Sequence, residues 1–344
     1  MKRIKYFDLL RVVCFSFIIF YHMTVQLQLN EVFPAEKLIP LYCNTNMHIA
    51  TLAVAVFFML SGAGLAYTTK EKFEWKSFYK KRFLRLLIPF YIVVIVLYVA
   101  KLSVFDPEST LADLAGVPKW RIIFTILGID EWVSMHNIAT FSLGIGEWFL
   151  GALLILYILF PLFRFCMLKN SKIFFAIATL IYLITVCTYS SNVPVHMSLL
   201  LKGYEFIIGM LFGFYFNKFR YRWMVLTVPI VIFFFISPIT INMNEAIKIT
   251  VLAVAFFVSF SYLENVLNRY ELKPITVLSS YSYELFLVHH AVIHFVTPRA
   301  AQYITNIGTT LLLFIGQLFI MAVMTVVLKW ISDKVIGLIL QYKR

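Results

Sequence analysis

Apolar residues along this chain come in long stretches set apart by short polar segments. There is no two-residue alternation of a half-buried strand. Ten stretches stand out, roughly 7–27, 47–67, 83–100, 143–163, 173–189, 199–216, 223–237, 246–263, 275–297 and 309–329. About 20 residues rising 1.5 Å each cross a hydrocarbon core of roughly 30 Å, so each stretch is predicted to be a membrane-spanning helix. Lipid offers backbone groups no partners, and a helix satisfies them within its own segment. The expectation is an all-α, polytopic transmembrane helix bundle with about ten helices, forming a single integral membrane domain over 1–344.

The polar segments give that expectation an orientation. With ten crossings, six basic groups fall on one side: Lys2, Arg3 and Lys5; the cluster from Lys70 to Arg82; Arg164, Lys169 and Lys172; Lys218, Arg220 and Arg222; Arg269 and Lys273; and Lys334, Lys343 and Arg344. Basic residues mark the cytoplasmic side, so both termini are placed there. The longest opposite segment, 101–142, is the extracytoplasmic loop region and sets Asp106, Glu108, Asp113, Asp130 and Glu131 against Lys101, Lys119 and Arg121. Composition agrees: 61% hydrophobic and 14% charged residues cannot cover a water-facing surface. The formal charge of +13 is therefore a topology signal, and no soluble basic face exists to bind nucleic acid. The basic start followed by an apolar run looks like a signal peptide. However, no small-x-small cleavage site follows and His22 interrupts the run, so it is read as a retained first helix. Four cysteines, two of them in or at the ends of apolar stretches, do not form a disulfide framework.

Ionisable side chains in hydrocarbon are costly and mark candidate chemistry. Arg11 and His22 are 11 positions apart, which returns to within about 20° of one direction at an axial separation of about 16 Å. One residue therefore sits towards the cytoplasm and the other in the outer half. Asp8 and Arg11, at i and i+3, also suit a buried ion pair that orients the helix. In the ninth stretch Ser282 and His289 share a face, while Glu284 points to another neighbour. His289 reaches a depth close to that of His22, so the two imidazoles suit one cavity, although either also suits a packed, hydrogen-bonded core position. His290 reads as a core residue and His294 as a membrane-surface one. Glu147, after Gly144 and Gly146, stands at the outer end of the fourth stretch, placed to polarise an imidazole or hold a sugar hydroxyl. Lys202 and Glu205 suit a pair, and Gly209 and Gly213 suit close helix packing. Ser61, Gly62, Ala63 and Gly64 suit close helix packing, or the close approach of a thin ligand chain, and Arg82 with Arg85, in a cluster that topology also explains, share a face that suits phosphate. No glycine-rich nucleotide loop, His-Glu-x-x-His or paired Cys-x-x-Cys occurs, so neither ATP-driven chemistry nor a metal site is predicted.

Taken together, these strings resemble the integral membrane acyltransferase-3 family, bacterial enzymes that O-acylate cell-surface carbohydrates. The resemblance is carried by Asp8, Leu10 and Arg11 with ten residues before His22, and by the run from Phe57 to Gly62. It continues through Arg82-Phe83-Leu84-Arg85, Glu147 to Leu150 ahead of Tyr157 and Pro161, and Ser282 to His289. It implies a multi-pass protein of the bacterial cytoplasmic membrane that transfers an acyl group from cytoplasmic acyl-CoA, by preference acetyl-CoA, to a hydroxyl of an extracytoplasmic or lipid-linked carbohydrate. Membrane lipid and a polysaccharide synthesis complex are the implied partners. On this reading His22, Glu147 and His289 are catalytic, and Arg11, Ser61, Arg82 and Arg85 hold the donor. Asp8, Ser282 and Glu284 orient them. Direct transfer and an acyl-histidine intermediate both stay open. The contrasting expectation is a secondary transporter or polysaccharide exporter without acyl transfer. The chain ends shortly after the tenth stretch, so acceptor recognition is expected from its own loops or a separate protein.

Overall fold

The computed structural model describes residues 3–32, 35–43, 48–105, 115–215, 224–237, 239–270 and 272–341. Of the charges used above, Lys2, Asp106, Glu108, Asp113, Lys218, Arg220, Arg222, Lys343 and Arg344 lie outside them, as do Met47 and Trp223 at the starts of two stretches. Among the described residues the protein is all-α, apart from an isolated bridge between Cys43 and His48. In chain order the helices are α1 (Lys5–Leu29), α2 (Ala35–Tyr42), α3 (Ile49–Thr68), α4 (Trp75–Ala100), α5 (Ile122–Leu127), α6 (Asp130–Ser134) and α7 (Glu147–Thr188). There follow α8 (Leu199–Tyr215), α9 (Met224–Ile236), α10 (Glu245–Ser261), α11 (Glu264–Leu267), α12 (Lys273–Ser280), α13 (Ser282–Ala300) and α14 (Ile307–Gln341).

Each of the ten apolar stretches is helical over most of its described length, and among the described residues six helices are long and apolar enough to cross a membrane. α7 accounts for two stretches. Its 42 residues break at Asn170 (φ −156°, ψ 91°), whose side-chain oxygen accepts the Ile173 N–H at 3.0 Å and caps the second arm. The fourth stretch starts as helix at Glu147, later than hydropathy suggests, because Gly144 (φ +66°) and Gly146 (φ +89°) lie in left-handed conformations a right-handed helix excludes. The ninth stretch is also divided, at Tyr281 between α12 and α13.

The chain forms two compact units. The first comprises Met1–Phe73, Phe160–Ser282 and Ala300–Thr310. In it α3 packs along α8 and also against α1 and α10. The α3–α8 seam is backbone against backbone: a Cβ on Gly209 would strike the Met59 carbonyl, and one on Gly62 would strike that of Phe206. Without a hydrophobic driving force in lipid, such close approach gives the dispersion contact that holds helices together. Aromatic side chains fill the rest, with Phe212 and Tyr6 both packed on the Phe257 ring.

The second unit comprises Glu74–Leu159, Tyr283–Arg299 and Leu311–Arg344. The Tyr283 hydroxyl donates to the Leu86 carbonyl at 2.6 Å and joins α13 to α4. α13 and α14 run antiparallel, joined by Lys329 to Glu284 at 3.2 Å and by the Gln317 amide to the Thr297 hydroxyl at 2.8 Å. The short helices α5 and α6 are fastened by tyrosine and arginine side chains: Tyr91 to the Ile126 carbonyl, Tyr98 to that of Phe141, and Arg121 to that of Ala139 at 2.6 Å.

Candidate active site

In the first unit the buried Asp8 collects donors from three directions. The Arg3 guanidinium and the Arg11 guanidinium, at 3.2 Å, both reach its carboxylate, and the Ser279 hydroxyl donates to it at 2.8 Å. A buried carboxylate is tolerable only when paired and hydrogen-bonded. The Asp8–Arg11 pair expected from the i, i+3 spacing is thus present, and through Ser279 it also ties α1 to α12. Ser279, not Ser282, is the serine on Asp8. The Ser282 hydroxyl donates to the Ser279 carbonyl at 2.9 Å and bridges the break before α13. The free side of Gly64 faces Arg11, whose Nη2 lies 3.8 Å from where a Cβ would stand. Half-buried Ser61 is three residues earlier on the same helix.

Three turns along α1 from Arg11 stands His22, also half-buried. Its neighbour Tyr21 packs edge-on against His48, with ring centroids 4.6 Å apart, and His48 Nδ1 lies 3.4 Å from the Thr51 hydroxyl. Sequence reasoning passed over His48. Its signal was a histidine at the very start of an apolar stretch, on the end where the preceding helix carries His22. Lys202 and Glu205, both almost wholly buried on α8, form the expected pair, with Nζ 3.0 and 2.9 Å from the two carboxylate oxygens.

In the second unit Arg82 is half-buried and Arg85 exposed, and neither has an ion-pair or hydrogen-bond partner among the described residues. At the other end of the unit, Glu147 is buried at the start of α7. Its carboxylate accepts the Ser142 hydroxyl at 2.8 Å and the backbone N–H groups of Leu143 at 3.0 Å and Ile145 at 3.3 Å. Those donors strap the Gly144–Gly146 turn in place. Glu131, on α6, accepts the Trp148 N–H at 2.9 Å beside it. Burial, and then the negative Glu147, push the Glu131 carboxyl up to about 8; burial pushes Asp130 up to about 6. Sequence reasoning counted Glu131 only as loop charge. Its signal was an acid three residues after Gly128, the left-handed cap of α5.

His289 is fully buried, and its Nδ1 donates to the Phe286 carbonyl at 2.6 Å, which leaves Nε2 as the acceptor. The residue adjoining the Gly146–Glu147 turn is His290. Its ring carbon Cδ2 lies 3.5 Å from where a Gly146 Cβ would stand, and its Nδ1 is 3.3 Å from Nε2 of exposed His294. Glu284 is buried and held by Lys329, as its divergent direction on the helix implied. Asp8, Arg11, His22, Ser61 and Ser282 thus belong to one unit, and Arg82, Arg85, Glu147, Glu284 and His289 to the other.

A family model described as an acyltransferase domain matches residues 4–333. No curated protein and no solved structure matches the chain.

Proposed function

The chain belongs to the acyltransferase-3 family, and from that premise we propose that it O-acylates a carbohydrate. It takes an acyl group, by preference acetyl, from cytoplasmic acyl-CoA and delivers it to a sugar hydroxyl outside the membrane or on a lipid carrier. The supporting observation is the family match over nearly the whole chain, across 4–333. Arg82 and Arg85 suit the donor end: two guanidiniums without a partner among the described residues, on one helix face, offer paired hydrogen bonds to phosphate. Arg11 and Ser61 form a second polar patch for the donor, and Asp8 sets the direction of Arg11.

His22 is the proposed general base. Neutral imidazole takes the proton of the acceptor hydroxyl as its oxygen attacks the thioester carbonyl, and the C–S bond then breaks. The thiolate leaves with that proton as coenzyme A thiol, the sugar carries the new ester, and the imidazole is neutral again. Glu147 and His289 complete the catalytic set, with Ser282 and Glu284 as positioning residues. The protein acts as a multi-pass enzyme of a bacterial cytoplasmic membrane with both termini inside, served by a polysaccharide synthesis complex.

The test is single-turnover acyl transfer from labelled acetyl-CoA by purified protein in lipid. His22→Gln keeps size and some hydrogen bonding but removes acid–base chemistry. The transfer step should fall on the order of 100-fold or more while donor binding persists. Near-full turnover in a folded variant would end the assignment of His22, and no transfer by the unaltered protein would favour a transporter or exporter.

A further inference from the structure

Helical serine and threonine hydroxyls in this protein mostly bond back to the carbonyl four residues earlier, as Ser16, Thr24, Thr179 and Ser259 do. On α14 two break that habit. Thr325 and Ser332, only 3% and 1% exposed, have hydroxyls without a partner among the described residues, and the side-chain oxygen of fully buried Gln317 also lacks one there. An unmatched polar atom in a dry interior costs about 1–3 kcal/mol, so three on one helix need a reason. At about 100° per residue they fall within a sector of about 80° on the buried side of α14, which they share with buried Met321 and Leu328.

The place of that face within the second unit is set by two contacts. Lys329 meets Glu284 and Gln317 meets Thr297, so antiparallel register puts Thr325 level with Val288 and His289. Ser332 lies about one turn beyond Lys329, at the end where Tyr283 joins Leu86, one residue from Arg85. From there Thr325 is seven residues deeper, about 10.5 Å along the axis. The partnerless hydroxyls therefore lead from the unpaired guanidiniums to the level of a buried imidazole.

We propose that this face of α14 lines the path of the donor's pantetheine arm, with Ser332 and Thr325 hydrogen-bonded to it. The inference rests on the acyl-CoA reading above and names the residues that would hold the donor within the membrane. Coenzyme A joins a phosphorylated nucleotide to a thin arm that carries a hydroxyl and two amides before its thiol. Those polar groups are too costly to place in hydrocarbon unless matched. Hydroxyls donate and accept, so Ser332 and Thr325 suit them without adding charge.

The experiment compares binding of acetyl-CoA with binding of adenosine 3′,5′-bisphosphate, a nucleotide without the arm, to purified protein in lipid discs. Thr325→Val with Ser332→Ala should weaken acetyl-CoA roughly tenfold or more, leave the bisphosphate unchanged, and leave the ligand-free melting temperature equal or higher. Thr325→Ser, which keeps the hydroxyl, should retain the affinity. Unchanged acetyl-CoA affinity overturns the assignment, and so does an equal loss for both ligands. A fall in melting temperature with unchanged affinity would also overturn it and assign the hydroxyls to internal water. Should the double variant not fold, the single variants are read by the same criteria. Failure of the unaltered protein to bind acetyl-CoA would instead count against the acyltransferase reading itself.

Discussion

At the scale of single residues, the carboxyls near α7 divide their work by environment. Glu147 is locked by three donors, whereas Glu131 is half-buried beside a negative charge. Folded Glu131 keeps its proton up to about pH 8, while in the unfolded chain it releases it near the ordinary value of about 4.3. Folding therefore takes up a proton between those values. The contribution to stability is complete below about pH 4 and is lost as pH rises through 8. Melting curves followed by tryptophan fluorescence from pH 5 to 8.5 should fall less steeply for Glu131→Gln than for the unaltered protein, with the Asp130 contribution remaining below about pH 6 in both. Parallel curves would exclude Glu131 as the titrating group. None of this was legible in sequence, because Asp130 and Glu131 read as solvated loop charge, whereas in the fold they open the short helix α6 beside Glu147.

At the scale of helices, the apolar stretches were legible because hydropathy alone marks them, and Asp8 with Arg11 because their spacing is local. Breaks were not: Asn170, Tyr281 and the Gly144–Gly146 turn depend on backbone angles that average hydropathy does not register. The buried polar groups of α14 were hidden because Gln317, Thr325 and Ser332 are diluted among apolar neighbours. The α3–α8 seam was visible in part, since Gly209 and Gly213 have the small-xxx-small spacing. Its tightness gives a direct test. Gly209→Ala sets a methyl on the Met59 carbonyl and should cost about 1–3 kcal/mol in reversible unfolding from mixed micelles. Gly316→Ala, with open space around it, should be neutral or slightly stabilising. Equal responses at both sites would mean that the seam has slack to absorb a methyl.

For the molecule as a whole, the charge pattern predicts an orientation that can be tested in cells. In a protein with Cys14, Cys43, Cys166 and Cys187 replaced, a cysteine at exposed Lys72 should react with an impermeant maleimide only after permeabilisation, and one at exposed Lys119 in intact cells. The reverse labelling would invert the topology and with it the route of the donor. The two-unit organisation threads the chain back and forth, since each unit is assembled from three separate segments. The glycine seam shows what that means during synthesis. Gly62 and Gly209 belong to one seam although they stand 147 positions apart in the chain. At roughly 5–20 residues per second, the second helix of the pair emerges from the ribosome about 7 to 30 s after the first. For that interval the small-residue groove of α3 has only lipid, or an insertion factor, to lie against, and biogenesis of this protein is exposed to mispairing for as long as translation takes to deliver α8.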